Sequence, residues 1–211
     1  MSAPEPAAPP RRTSALEPQR KPGKERVAAL LRAAVDVIAE RGFEAATMAE
    51  IAARAGAPIG SLYRFFPSKD ALADALIRRY VERIDEAFAG LDSRREASSA
   101  EAFADALLGV LADLRGPTQS AMVALLDARA DGAAWRSQFH DAYHRNLVAA
   151  LQRRAPRLAT REAEDMAVVL LQNMKAMKSL NPERDAGAIG ELRTMTRLYL
   201  ANKLDGPSGG G

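Results

Sequence analysis

The sequence contains no cysteine. That excludes a disulfide framework and a cysteine-ligated metal site, and it fits a cytoplasmic protein. Histidine is nearly absent too: His140 and His144 are the only two. Their i,i+4 spacing on one helix face can hold a transition metal, with Asp141 or Asp127 adding oxygen. No HExxH motif or third nitrogen ligand accompanies them, so the reading is a wet helix face and no metal ion. No apolar run is long enough to span a bilayer, and the Ala/Pro-rich first residues lack the hydrophobic centre of a signal peptide. Alternating apolar and polar residues never persist far enough for a strand. There is no nucleophile elbow, no phosphate loop and no paired carboxylates in an identifiable site, so an enzyme is not expected and no cofactor is implied.

What is present is helical periodicity. The 211 residues are 47% hydrophobic, enough for one or two ordinary cores. The net charge of +3 is too small to declare a nucleic-acid binder. Its distribution is more informative: residues 1–80 carry 13 Lys/Arg against 9 Asp/Glu, and the remainder 17 against 18. The positive excess therefore sits in the first part of the chain, where it favours approach to phosphate; alone, it fits a solvated basic surface equally well.

The stretch TMAEIAARAGAPIGSLYRFFPSK, Thr47 to Lys69, reads as two short helices joined by a tight turn. Thr47 is a helix cap, and Glu50 three residues on completes a capping box. Gly56 has the backbone freedom to stop this helix, and Pro58 suits the first turn of the next. Leu62, Phe65 and Phe66 share an inward side. Pro67 pushes its predecessor out of the α region, ending the helix, and Ser68 caps the next one. Helix, glycine turn and short helix make a helix-turn-helix, whose second helix enters the DNA major groove. A preceding helix over about Lys24–Arg41 carries Val27, Leu30, Leu31, Val35 and Ile38 as its apolar stripe, with Gly42 ending it and Phe43 tucked inward.

Side-chain reach assigns roles. The N-terminal end of the third helix faces base edges, which selects Ala57, Pro58, Ile59, Gly60 and Ser61. Ser61 can donate or accept, and Ile59 can touch thymine methyl groups. Arg64 is the side chain able to fork onto guanine; otherwise it clamps phosphate. Thr47, at a helix N-terminus, Tyr63 and Lys69 read as phosphate contacts. Their plainer readings are a cap, a core edge and a solvated lysine.

The run RVAALLRAAVDVIAERGFEAATMAEIAARAGAPIGSLYRFFPSKDAL resembles the TetR (tetracycline-repressor-like) family of bacterial transcription regulators. The resemblance covers roughly residues 26–80. It rests on Gly42-Phe43, Thr47, Ile51-Ala52, Ala55-Gly56, Gly60-Ser61-Leu62-Tyr63, Phe66 and Pro67-Ser68-Lys69. It implies that Thr47, Tyr63 and Lys69 contact the DNA backbone. It also implies a C-terminal effector pocket and a homodimer whose last two helices form a four-helix bundle. Two positions depart from the family pattern: Pro58 stands where a small polar residue is usual, and Ile59 is unusually apolar for a groove-facing position.

The expected architecture is all-α: an N-terminal three-helix DNA-binding domain followed by a larger helical domain for effector binding and dimerisation. The bounds are 1–22, a disordered basic Pro-rich arm; 23–70, the helix-turn-helix domain; 71–204, the effector and dimerisation domain; and 205–211, a flexible tail. The arm holds six of the twelve prolines and Arg11, Arg12, Arg20 and Lys21, with Lys24 just beyond. It reads as a solubilising tail or a minor-groove arm. Helices are expected over about Ser68–Leu91, Ser98–Leu114, Thr118–Ala130, Ala133–Arg154, Thr160–Leu180 and Ala186–Lys203, with a loop at Arg94-Arg95-Glu96. In the last two, Met166, Val169, Leu170, Asn173, Met174 and Met177 line one helix and Ile189, Leu192, Thr196 and Tyr199 the other; Leu171, Met195 and Leu200 are left for a partner.

Phe103, Leu107, Met122, Leu126, Trp135, Phe139, Tyr143, Met174 and Met177 are the pocket candidates, suited to a small, largely apolar effector. Taken singly, each reads more readily as ordinary core than as pocket lining, because the two share a composition. The functional expectation is a dimeric repressor that binds double-stranded DNA and is released by that effector. The alternative is a DNA-bound regulator answering to a protein partner or to none, which a cavity-free C-terminal domain would favour.

Overall fold

The computed structural model describes residues 21–93, 99–114 and 117–205. Most of the 1–22 arm, the 94–96 loop and the tail beyond Asp205 lie outside them. The described residues form nine helices and no strand: α1 Lys21–Arg41, α2 Met48–Arg54, α3 Ile59–Phe65, α4 Lys69–Ser93, α5 Ala100–Asp113, α6 Pro117–Asp127, α7 Gly132–Arg154, α8 Thr160–Ser179 and α9 Ala186–Leu204. None is long and apolar enough to cross a membrane. α1 begins at Lys21, earlier than Lys24. Pro22 falls in its first turn, where the missing N–H would have had no partner.

The helices divide into two compact units. One holds α1–α3, α4 as far as Arg79, and Ser120–Arg129; the other holds Tyr80–Gln119 and the chain from Ala130 onward. In the first unit α1 packs on α2 and α2 on α3. Leu30, Val37 and Ile38 of α1, Ile51 of α2, and Leu62, Phe65 and Phe66 are all buried. So are Met122, Leu125 and Leu126, which α6 contributes to this unit. Gly42 and Gly56 take φ of +80° and +60°, the left-handed geometry that ends α1 and α2 without a Cβ penalty. Arg129 reaches Asp74 at 3.1 Å and Asp70 at 3.7 Å, tying the end of the α6 segment to the first turns of α4.

The second unit is held by α7 on α8, α5 on α9 and α8 on α9. Asp205, which follows α9, accepts the Ala100 amide at 2.9 Å and pairs with Arg154 at 2.9 Å. It therefore belongs to the fold, although the sequence placed it in the tail. Asn173 donates to the buried Thr196 hydroxyl at 2.6 Å and to the Leu192 carbonyl at 3.2 Å, fixing α8 against α9. Leu200 is fully buried rather than left for a partner, as are Met166 and Leu170. Val168, Val169, Met195 and Leu198 are the large apolar side chains that α8 and α9 leave exposed.

Candidate nucleic-acid interface

The interface candidates sit at the N-cap of α2, in the turn into α3, on α3 and at the start of α4. Thr47 caps α2 from an extended conformation, accepting the Glu50 amide at 3.2 Å through Oγ1. Only half of the capping box forms: the Glu50 carboxylate is taken by Arg41 Nε at 2.8 Å instead. The threonine side chain remains exposed.

The turn into α3 is short. Ala57 donates to the Ala52 carbonyl at 2.9 Å, and Ser61 to the Pro58 carbonyl at 2.8 Å. Pro58 is the N-cap of α3 rather than its first helical residue. Phe66 is extended (φ −127°, ψ 93°), as a residue before proline must be, and closes α3 after seven residues. Within that length the division of faces is sharp. Leu62, Phe65 and Phe66 are at most 3% exposed, whereas Ile59 is 43% and Tyr63 50% exposed. Pro58, Gly60 and Arg64 are also exposed, and Ala57 and Ser61 are half-buried. A Cβ added at Gly60 would meet nothing within 4 Å. Burying the three large side chains fixes how α3 sits on its unit; truncating one such phenylalanine typically costs about 3–5 kcal/mol.

The cations on this face are held differently. Arg64 lies over the Phe65 ring, 4.8 Å from its centroid. Lys69, in the first turn of α4 behind the Ser68 cap, donates to the Glu44 carbonyl at 2.9 Å and lies 4.5 Å from the Phe43 ring centroid. Arg54 is turned away from such use: it forms a two-pronged pair with Glu40 at 2.7 and 2.8 Å. That bond holds the Glu40 carboxyl below its ordinary range. Phe43 and Glu44 thus matter as the seat of Lys69, a role their sequence positions do not announce.

The effector candidates fall in both units. Met122 and Leu126 belong with the first; Phe103, Leu107, Trp135, Phe139, Tyr143, Met174 and Met177 belong with the second. Trp135, Tyr143 and Met174 are half-buried, and the other six are buried. Phe139 and Tyr143 meet Tyr80 and Phe88: Tyr80 and Phe139 are edge-on at 5.0 Å, and Phe88 and Tyr143 at 6.4 Å. The Tyr80 and Tyr143 hydroxyls lie 3.1 Å apart, and burial pushes both phenols above their usual range. Tyr80 is buried on α4, and the Tyr143 hydroxyl meets a buried tyrosine's need for a hydrogen-bond partner. Trp135 donates at 2.9 Å to Asp131, the N-cap of its own helix. His140 and His144 stack at 6.3 Å, with Asp141 3.6 Å from His140. No group of three or more metal-ligating side chains occurs among the described residues.

Residues 30–76 match the family model described as bacterial regulatory proteins, tetR family. The HTH-type transcriptional repressor KstR of Mycolicibacterium smegmatis is 32% identical over 180 residues, spanning 70% of this chain and 87% of the relative. The HTH-type transcriptional activator FasR of the same species is 45% identical over 65 residues, 31% of this chain and 30% of that one. Among solved structures, Salmonella enterica GusR superposes with a TM-score of 0.63 at 21% identity, covering 89% of this chain and 98% of that one, a likeness of fold.

Proposed function

This chain belongs to the TetR family of DNA-binding transcription regulators, and from that premise we propose a homodimeric repressor that leaves its operator when a small, largely apolar molecule binds. Residues 23–70 read the DNA, and residues 71–204 pair two copies and take the effector. Repression is favoured over activation because the relative aligned across most of both chains is a repressor, whereas the activator aligns over 65 residues only.

The observation that carries the reading is the division of α3. Its large side chains anchor one side while Ile59, Gly60, Tyr63 and Arg64 stand open on the other. Thr47 and Lys69 flank them for phosphate. Dimerisation is supported by Val168, Val169, Met195 and Leu198, apolar side chains on adjoining helices that a second copy would cover. Two recognition helices about 34–36 Å apart reach successive major grooves on one face of the duplex. Effector control requires that the ligand bind the released state more tightly than the DNA-competent one.

Selecting bound sequences from random DNA with the full-length chain, then screening apolar compounds for release, tests this function. An enriched inverted repeat and a compound that lowers operator affinity are expected. A compound that binds the protein and leaves operator affinity unchanged would contradict effector control.

A further inference from the structure

We propose that Ile59 is a specificity-determining residue that reads the C5 methyl group of a thymine in each operator half-site, and that this apolar contact sets the strongest base preference. The inference rests on the DNA-binding function above and names the chemical group that is read.

The groove-facing end of α3 has little hydrogen-bonding chemistry. Ala57, Pro58 and Gly60 offer none from their side chains. Ser61 is half-buried, and a hydroxyl that can donate or accept discriminates poorly between base edges. Arg64 lies against the Phe65 ring, 4.8 Å from its centroid, and must leave it to fork onto guanine. Ile59 remains: a branched apolar side chain, 43% exposed, in the first turn.

Scattered exposed hydrophobic residues are ordinary on protein surfaces. This one differs in its neighbours. Gly60 has no side chain, and a Cβ placed there would meet open space. Pro58 is a compact ring. Neither chain neighbour stands in front of a surface approaching this end, and the bulkier Tyr63, i+4 from Ile59 and also exposed, lies one turn further along the same face. Continuity with Thr47, Tyr63 and Lys69 makes that surface duplex DNA.

The major groove exposes one apolar group, the thymine methyl. Against it, isoleucine gains burial with no hydrogen bond lost. Against an amino group, a carbonyl or a purine N7, it displaces water and supplies no replacement partner. Attraction to thymine and rejection of other bases thus come from one side chain.

Deoxyuridine keeps every hydrogen-bonding group of thymidine and lacks only the methyl. The test measures binding of the full-length chain to the operator selected from random DNA, with each dT replaced by dU in turn. At one thymine per half-site, affinity should fall about fourfold per methyl removed. For Ile59→Ala the dT and dU operators should bind equally, and Ile59→Val should keep part of the difference. Unchanged helicity of both variants shows that the exposed position leaves the fold intact. An operator indifferent to all its thymine methyls, or lacking a thymine common to both half-sites, would overturn the inference and leave the DNA-binding function standing. Methyl dependence that persists in Ile59→Ala would overturn it as well. Failure to enrich any sequence would instead overturn the function, and this inference with it.

Discussion

The Lys69 ammonium donates to the Glu44 carbonyl at 2.9 Å while resting 4.5 Å from the centroid of the Phe43 ring. A free lysine loses roughly 1.5–2 kcal/mol of rotamer freedom when it is immobilised. Here much of that ordering has occurred before DNA arrives, since one carbonyl and one ring already seat the charge. An ammonium has three donors, so the bond to Glu44 leaves others for phosphate. Lys69→Ala should weaken binding to all sequences to a similar extent. It should also flatten the dependence of log affinity on log salt by about one unit per bound copy. Titrations at four salt concentrations read this; a change in sequence preference with an unchanged slope would contradict the phosphate role.

Two glycines of the helix-turn-helix should respond in opposite ways to alanine. Gly56 has φ +60°, where a Cβ meets the following carbonyl, so Gly56→Ala should destabilise the protein by about 1–2 kcal/mol. Gly60 is helical, and an added Cβ meets nothing. Gly60→Ala should stabilise by up to about 1 kcal/mol through helix propensity. It should nonetheless bind operator less well, because the new methyl lies where the backbone approaches the groove. Thermal denaturation and operator titration on the same preparations separate the two quantities.

Local chemistry in the sequence located the helix ends well. Thr47, Ser68, Gly42, Gly56 and Pro67 each act through their own backbone or immediate neighbours, and each does what its residue type requires. Interactions between distant residues were not legible in this way. Glu50 belongs by spacing to a capping box, yet Arg41 competes for its carboxylate and wins it. In α8 and α9 apolar residues occur on both sides, so periodicity does not say which side meets the core. Leu200 faces inward and Leu198 outward, against the expectation for Leu200. The seat of Lys69 depends on a loop carbonyl, and carbonyls have no sequence signature.

Asp205 gives the second unit an acid-sensitive joint. The Ala100 amide, and then the charges of Arg154 and Arg157, hold its carboxyl below the usual aspartate range. A group whose folded pKa is depressed stabilises above its unfolded pKa, near 3.9 for aspartate, and loses that contribution as pH falls through the folded value. Asp205→Asn should therefore lower the melting temperature at pH 7. The gap from the unsubstituted protein should narrow on going from pH 5 toward pH 3. A gap that stays constant over that range would assign the effect to lost shape rather than charge.

Met195 and Leu198 are 60% and 63% exposed on α9. Replacing both with glutamate removes little from the protomer's own core and places two charges on the proposed pairing surface. The double variant should keep its helicity, sediment as a monomer at micromolar concentration, and lose operator affinity, since each copy would hold a single half-site. A dimeric mass for this variant would place the pairing surface elsewhere.

Guanine-N7 methylation protection on the selected operator tests most directly whether two copies of α3 enter the major groove. Two protected segments are expected, with centres about 10–10.5 base pairs or a multiple apart on one face of the duplex, both vanishing for Tyr63→Ala combined with Lys69→Ala. Protection confined to adenine N3 in the minor groove, or a single protected segment, would contradict a paired major-groove reader.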